Sequence, residues 1–313
     1  MKIAVVGAGP AGLSFTYSLL SMSNKHEVTI YEMDENITGK CAGGIGIFWL
    51  RKVIDKVPIP NEFVQSYINR VIINGFDFKF PRWVGIIIDR DGWQKWLFKQ
   101  VIDMGAVCII KPFEIEYTKR YDLVVCADGG TSRLRQIITG AKLKPSDIWI
   151  TGQVEVEKID KIENAIVMKF HRYGYTWAFD AGDIAKLGLG IRNGDGNIVE
   201  LLHELTKGFE VKKEYYKPLV LTKPLDKLIY GKFVFIGDAA LLCNPLTGGG
   251  IGPAILSAHE LAKAIVEGDL NKYRIRVMRW KMKINYAVRE LLAKFVKNPP
   301  ITSVKKMREF LLG

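Results

Sequence analysis

The sequence predicts an α/β fold: a parallel sheet with flanking helices, an antiparallel sheet inserted into it, and a helical tail at the C-terminus. Three observations predict it. Short apolar runs ending near glycine recur at "KIAVVG", "YDLVVCADGG" and "KFVFIGD", the pattern of strands buried on both faces. The stretch 147–227 changes to short strand-like pieces separated by turns, which reads as antiparallel sheet between two parts of an α/β domain. Residues 271–297 space apolar side chains by three and four, the period of an amphipathic helix.

In order, residues 2–6 read as a buried strand, 11–22 as a helix and "EVTIYE" (27–32) as a second strand. Residues 33–60 are glycine-rich, with a short helical pattern at "FWLRKVIDKV". "VIINGFDFKF" (71–80) alternates around Asn-Gly and reads as a hairpin. In 89–106, Trp93, Trp96, Leu97 and Val101 share one helical face. "VCII" and "FEIEY" read as strands, as do the pieces around "WITGQVEVEKI", "NAIVMKFHRY", "YTWAFDA" and "AKLGLGIR"; "NIVELLHELTKGF" is a helix. "KFVFIGDAA" returns to a buried strand and 252–268 to a helix.

The 313 residues can bury one large core or two. The formal charge of +12 favours anionic partners, and describes a Lys-rich solubilising surface equally well. No nucleic-acid reader module accompanies it, so nucleic acid is not an expected partner. Cys41, Cys108, Cys126 and Cys243 show no CxxC spacing and the four histidines no HExxH. Neither a metal site nor a disulfide framework is expected, and a reducing cytoplasm is. No charged leader or apolar run near eighteen residues occurs, so neither signal peptide nor membrane span is expected.

"VVGAGPAGLSF" places Gly7, Gly9 and Gly12 in G-x-G-x-x-G spacing between a strand and a helix, with a second strand ending at Glu32. This is the context of a Rossmann-type dinucleotide site. Gly7 allows the tight turn, Gly9 lets a pyrophosphate approach the backbone, and Gly12 lets helix and strand pack closely. The helix N-terminus at Ala11 offers free N–H groups to phosphate. Glu32 suits a ribose diol and repels a 2′-phosphate. The fingerprint alone does not choose between NAD and FAD. "VVCADGGTSRLR" sets Asp128 and Gly129 at a strand end, followed by Ser132 and Arg135. "GDAALLCNPLTGGGIGPAI" sets Gly237 and Asp238 at another, followed by Pro245, Gly248, Gly249, Gly250 and Ile251 at a helix start. A run of three glycines weakens local order, so something must come close to the backbone there.

In this order, GxGxxG, D-G-x-x-S-x-x-R and G-D-A-A…N-P…G-G-G resemble the flavoprotein hydroxylases of the para-hydroxybenzoate hydroxylase type. "CAGGI" (41–45), "GYTWAF" (174–179) and "NPLTGGGIGPAILS" (244–257) narrow the resemblance to the archaeal geranylgeranyl reductase family, over most of residues 1–270. The resemblance implies an FAD-binding domain over 1–57, 82–146 and 228–270, and a substrate domain over 58–81 and 147–227. Residues 271–313 form a C-terminal helical segment. It implies that Gly7, Gly9, Gly12 and Glu32 hold the ADP half of FAD, and that Arg90 and Asp128 lie near its middle. Asp238 lies on the ribityl or pyrophosphate side, and the backbone from Leu246 to Ile251 faces the isoalloxazine ring. Cys41, Ala42 and Gly43 belong to a loop beside the flavin. Cys41 is then a proton donor, redox partner, gate or packed thiol, and a Cys41–Cys243 disulfide is a further option.

The implied activity is hydride transfer from reduced flavin to a prenyl double bond of a lipid or lipid precursor. The electron donor, NAD(P)H or ferredoxin, is undecided. Such a substrate needs a long apolar pocket. Tyr175, Trp177 and Phe179 alternate and so project from one face of a strand, as wall, catalytic group or ordinary core. The family usually has Pro after that Phe, and this chain has Asp180. The stripe Tyr273, Val277, Trp280, Ile284, Val288, Leu291 and Phe295 is flanked by Lys and Arg; it docks on the body or makes a peripheral contact with an anionic membrane. A hydroxylase on the same scaffold and a flavin-binding accessory protein are the alternative functions.

Overall fold

The computed structural model describes every residue except 173, 278, 297, 298 and 313, and every side chain except those and 279–281 and 292–295. Its first sheet has six strands in the order Ile229–Tyr230, Phe233–Phe235, Leu123–Cys126, Lys2–Val6, Glu27–Glu32, Val107–Ile110. All pairs are parallel except the Ile229–Tyr230 edge. Ile3–Val6 and Leu123–Cys126 are buried along their whole length, as strands covered on both faces must be. Helices Pro10–Met22 and Ile251–Val266 pack together over this sheet. The helix Arg90–Asp103 buries Trp93, Leu97 and Val101, and Asp89 caps it by accepting from Gly92 N–H at 3.1 Å.

The second sheet has seven strands in the order Val211–Val220, Ile148–Glu157, Ile184–Arg192, Gly174–Ala181, Ala165–His171, Arg70–Ile73, Phe76–Lys79. The hairpin expected at 71–80 forms its outer edge. Asn74 and Gly75 both have positive φ, 52° and 93°, as a two-residue type I′ turn requires. One face of this sheet buries a second core with the helices Ile198–Thr206 and Pro300–Leu312. A small third sheet joins Gly44–Gly46, Gly85–Ile88 and Val64–Ile68.

Several expectations need correction. "FEIEY" is not a strand; Ile115–Arg120 is a 3₁₀ helix. Phe113 and Tyr117, four apart, both pack on Tyr31, with ring centroids at 5.0 and 5.8 Å, whereas a strand would hold them ~13 Å apart along its length. Val211–Val220 is a strand that composition hides. It is a sheet edge, mostly exposed and rich in Lys with one Pro, which is how natural edges avoid further pairing. Residues 271–297 are not one helix. Leu270–Arg276 ends at Val277, in extended conformation, and Arg279–Phe295 follows. Tyr273 is fully buried and donates to the Phe235 carbonyl at 2.7 Å, so the first part of the stripe docks on the body. Ile284, Val288 and Leu291 stay exposed. The side chains of Trp280 and Phe295 lie outside the described residues. No described helix is long and apolar enough to cross a membrane.

His171, at the end of the Ala165–His171 strand, is buried, and burial pushes its pKa down to about 4. Between about pH 6.5 and 4 the unfolded chain binds a proton there that the folded chain does not. Stability is therefore full above the unfolded value and falls as pH drops through this window. The expected contribution is roughly 3 kcal/mol. Urea denaturation at pH 7 and 4.5 checks it: His171→Phe should show a markedly smaller loss than the parent.

Candidate active site

The parallel strands end where backbone meets backbone. Gly7 has φ +106°, and a Cβ there would meet the Ala127 carbonyl oxygen at 2.6 Å; one on Gly12 would meet the Gly7 oxygen at 2.0 Å. Both glycines are thus demanded by packing. Gly9 is different, because nothing lies within 4 Å of its would-be Cβ. It faces open space at the start of a helix that has no side-chain cap and no acid in its first turn. Glu32 holds this turn, accepting from Ala8 N–H at 2.6 Å, Met33 N–H at 2.7 Å and Asp34 N–H at 3.0 Å.

The next two strand ends are tied by Arg135, a fully buried side chain. Its guanidinium donates to the Ala239 carbonyl at 3.1 Å and to the Gly130 carbonyl, while Ser132 caps its helix. Arg135 therefore locks the Asp128 loop to the Asp238 loop, a role the motif's spacing did not reveal. Gly237 (φ +54°) has no room for a Cβ beside Ala11. Asp128 and Asp238 each keep one carboxylate oxygen without a protein partner, and burial pushes both carboxyls up from the ordinary range.

Gly248, Gly249 and Gly250 lead into the Ile251–Val266 helix, which also lacks a side-chain cap and a first-turn acid. A Cβ on Gly248 (φ +65°) would lie 2.8 Å from the Tyr175 hydroxyl, and one on Gly250 would lie 3.0 Å from Asp238. Tyr175 donates to the Thr247 carbonyl, tying the glycine loop to the seven-stranded sheet. Burial pushes the Tyr175 phenol far up, which keeps it a donor.

Cross-strand register builds the opposite wall. Trp177 stands opposite Met168 and Gly188, Met168 beside Ile73, and Phe179 opposite Ile166, which lies beside Val71. Opposed residues share a face, so this face of the sheet is apolar from Trp177 and Phe179 outward. Gly188 lets the Trp177 indole lie flat across the neighbouring strand: a Cβ there would sit 2.3 Å from its ring. Its N–H reaches Gln153 Oε1 at 3.3 Å; Gln153 bonds the Tyr215 hydroxyl, which donates to the Cys41 carbonyl at 3.1 Å. Asp180 points the other way. It accepts from Ser66 Oγ at 2.8 Å and Asn164 N–H at 2.7 Å, so its departure from Pro leaves this wall untouched.

The Cys41–Gly43 loop is held from beneath by Lys186, which sequence reasoning missed because its Lys sits mid-strand in an ordinary-looking "AKLGLG". Lys186 Nζ donates to Gln65 Oε1 at 2.7 Å, the Ile88 carbonyl at 3.2 Å and the Ala42 carbonyl at 3.3 Å. Burial pulls its pKa down. All four cysteines are free thiols, so no Cys41–Cys243 disulfide forms; Cys243 packs with Trp149 and Leu221 instead.

These pieces enclose one cavity of about 1160 Å³. It exceeds the ~300–1,000 Å³ of small-ligand pockets, leaving room for a dinucleotide and a second molecule. Gly7, Gly9, Ala11, Glu32, Cys41, Ala42, Arg90, Asp128, Gly129, Asp238, Gly248, Gly249, Gly250, Ile251, Tyr175 and Trp177 all line it. Gly12, Gly43, Gly237 and Pro245 stand behind the lining. Tyr215 and Lys217, from the unforeseen edge strand, join it. A dinucleotide fits what is there. Two uncapped helix N-termini suit phosphate or a reduced ring's charge. The unpartnered atoms Asp128 Oδ1 and Asp238 Oδ1 suit hydroxyl donors, and Arg90 Nε suits an acceptor.

Comparison with known proteins agrees with this geometry. Residues 5–44 match the NAD(P)-binding Rossmann-like domain. The chain is 26% identical over 311 residues to digeranylgeranylglycerophospholipid reductase 2 of Methanopyrus kandleri, covering 85% of this chain and 78% of that protein. A geranylgeranyl bacteriochlorophyll reductase-like protein from Thermoplasma acidophilum superposes with a TM-score of 0.79 at 21% identity, over 98% of this chain and 90% of that one. A "probable FAD-dependent monooxygenase" from Pseudomonas aeruginosa superposes with a TM-score of 0.72 at 16% identity, over 98% and 99%. The family resemblance carried by the motifs and the fold class are both borne out.

Two outcomes test the construction. Gly12→Ala should destabilise the chain by ~3 kcal/mol or prevent folding, since backbone cannot yield to the new methyl. Lys186→Met should leave three carbonyl oxygens without their donor and cost about 2 kcal/mol. Denaturation curves read both, and hydrogen exchange at Ala42 and Gly43 should quicken in the second.

Proposed function

We propose that the chain is an FAD-dependent reductase that saturates double bonds of a geranylgeranyl-type lipid or lipid precursor. The observation that carries the reading is that a polar dinucleotide cradle faces a long apolar wall within one cavity. An isolated alkene offers no polar handle, so shape and burial must orient it. When bound, FAD supplies the hydride from its reduced ring.

The chain's own residues do the rest. Gly9 and Ala11 present helix N–H groups to the pyrophosphate, and Glu32 accepts from the ribose hydroxyls. Arg90 offers charge near the middle of the cofactor, and Asp128 and Asp238 accept from its hydroxyls. Backbone N–H groups at Gly250 and Ile251 would stabilise negative charge on the reduced ring. Tyr175 fixes that loop against the sheet. Trp177, with its N–H engaged by Gln153, holds the chain of the substrate as a wall. Cys41 and Tyr175 both line the cavity and are the protic groups we assign as candidates for delivering the proton. NAD(P)H or ferredoxin serves as electron donor, and a lipid substrate brings the chain to a membrane peripherally.

Incubating the reduced, FAD-loaded protein anaerobically with a geranylgeranyl lipid should add one hydrogen pair per double bond, read by mass spectrometry. No mass gain with any prenyl substrate overturns the reading. The likeness to the monooxygenase fold favours hydroxylation as the second reading; it requires oxygen uptake coupled to substrate. Trp177→Ala should lower kcat/KM by ~10²-fold by loosening substrate position while the bound flavin's absorbance is unchanged. Asp238→Ala should instead weaken FAD itself, seen by flavin titration.

A further inference from the structure

We propose that the outer edge of the seven-stranded sheet is a docking surface for an anionic lipid bilayer, so that the cavity opens onto the membrane. The proposal rests on the prenyl-lipid reading above and adds where the substrate enters.

The register that builds the apolar wall does not stop at the cavity. Val71 and Ile73 line it, and on the next strand Phe78 stands opposite Val71 and Phe76 opposite Ile73. Both phenylalanines therefore continue the same face. Phe76–Lys79 is the edge strand, and Phe76 and Phe78 are 70% and 49% exposed. The chain then turns past Asn69, and Phe80 and Trp83 follow at 40% and 42% exposure, Trp83 edge-on to Tyr67 with ring centroids 6.0 Å apart. Val84, the next residue, lines the cavity, and its carbonyl accepts from Ile47 N–H at 2.7 Å. That bond brings up Phe48, itself half exposed and lining the cavity. Of these five exposed rings Phe48 lines the cavity, and the other four lie between Ile73 and Val84, which line it too. Exposed apolar groups in one patch mark an interaction surface.

Charge selects the partner. Segment 67–84 carries Arg70, Lys79 and Arg82 against a single acid, Asp77; Arg70, Asp77 and Lys79 stand on the sheet's other face, where Arg70 pairs with Asp77 at 2.7 Å, so the edge as a whole keeps the net positive charge of Lys79 and Arg82. Arg51 and Lys52 flank Phe48. Aromatic rings among cations suit the interface of an anionic membrane. Docked in this way, an apolar chain passes from lipid to the Val71–Ile73 wall along a continuous apolar face and never crosses water.

The test is co-sedimentation of FAD-loaded protein with phosphatidylcholine vesicles, with and without phosphatidylglycerol, in the absence of substrate and reductant. Binding should need phosphatidylglycerol and weaken with salt. Phe76→Ser/Phe78→Ser should lower partitioning by about tenfold or more with unchanged flavin absorbance and circular dichroism. Phe80→Ser/Trp83→Ser is the second variant should the first misfold, with the same expected loss. Ile284→Ser/Leu291→Ser, on the exposed face of the Arg279–Phe295 helix, should bind like the parent. Parent-like binding by both aromatic variants, or loss confined to the helix variant, overturns the proposal. So does a parent dimer that the aromatic variants split, which would make the edge a contact between copies. Vesicle binding without prenyl reduction would sink only the catalytic reading; reduction of a detergent-dispersed prenyl lipid by protein that ignores vesicles would sink only this one.

Discussion

Everything in the site depends on backbone approaching backbone at the ends of three parallel strands. Gly12 touches the Gly7 carbonyl and Gly7 touches the Ala127 carbonyl, at distances where no Cβ fits. These contacts bring the first helix onto the first strand and the first strand end onto the next. Arg135 completes the arrangement by joining the Asp128 and Asp238 loops through two carbonyls. Because the strand ends converge, two helix N-termini without side-chain caps border one cavity. Their unsatisfied N–H groups are tolerable only where solvent or a ligand can accept from them.

The seven-stranded sheet contributes by having two unlike faces. One carries Val154, Val167, Leu187 and their neighbours into a core closed by two helices. The other is graded along the strand order. Tyr215, Gln153 and Lys217 stand near the dinucleotide cradle, and Trp177, Met168, Ile73 and Phe76 follow outward. A polar end suits a charged cofactor and an apolar end suits a greasy chain, so the strand order sets two unlike environments within one cavity. The same strand alternation that makes a core on one side makes a channel wall on the other.

The tie between the halves is polar and sparse. Tyr175 reaches the glycine loop, Tyr215 reaches Cys41, and Lys186 reaches Ala42 and Ile88. Each uses a buried donor on a main-chain carbonyl, which fixes the backbone beside the cavity. Burial holds both tyrosines protonated and so keeps them donors. A loop held only by such bonds keeps its shape while presenting bare backbone to whatever lies against it.

Much of this was legible in the residues alone. Buried parallel strands announce themselves as unbroken apolar runs, the turn at Asn74–Gly75 by its dipeptide, and the cradle by glycines whose spacing has only a few physical uses. Alternation put Tyr175, Trp177 and Phe179 on one face before any partner was known. What periodicity could not supply was depth and register. The edge strand Val211–Val220 reads as a solvated Lys-rich stretch because one side of it is solvated, and Tyr215 and Lys217 were lost with it. Lys186 looks like a surface lysine until the loop above it closes. The stripe from Tyr273 onward has one period, yet its first residues are buried and later ones exposed, since docking depends on what lies opposite. Local chemistry decides which backbone a residue permits; only the folded chain decides which carbonyl stands in front of it.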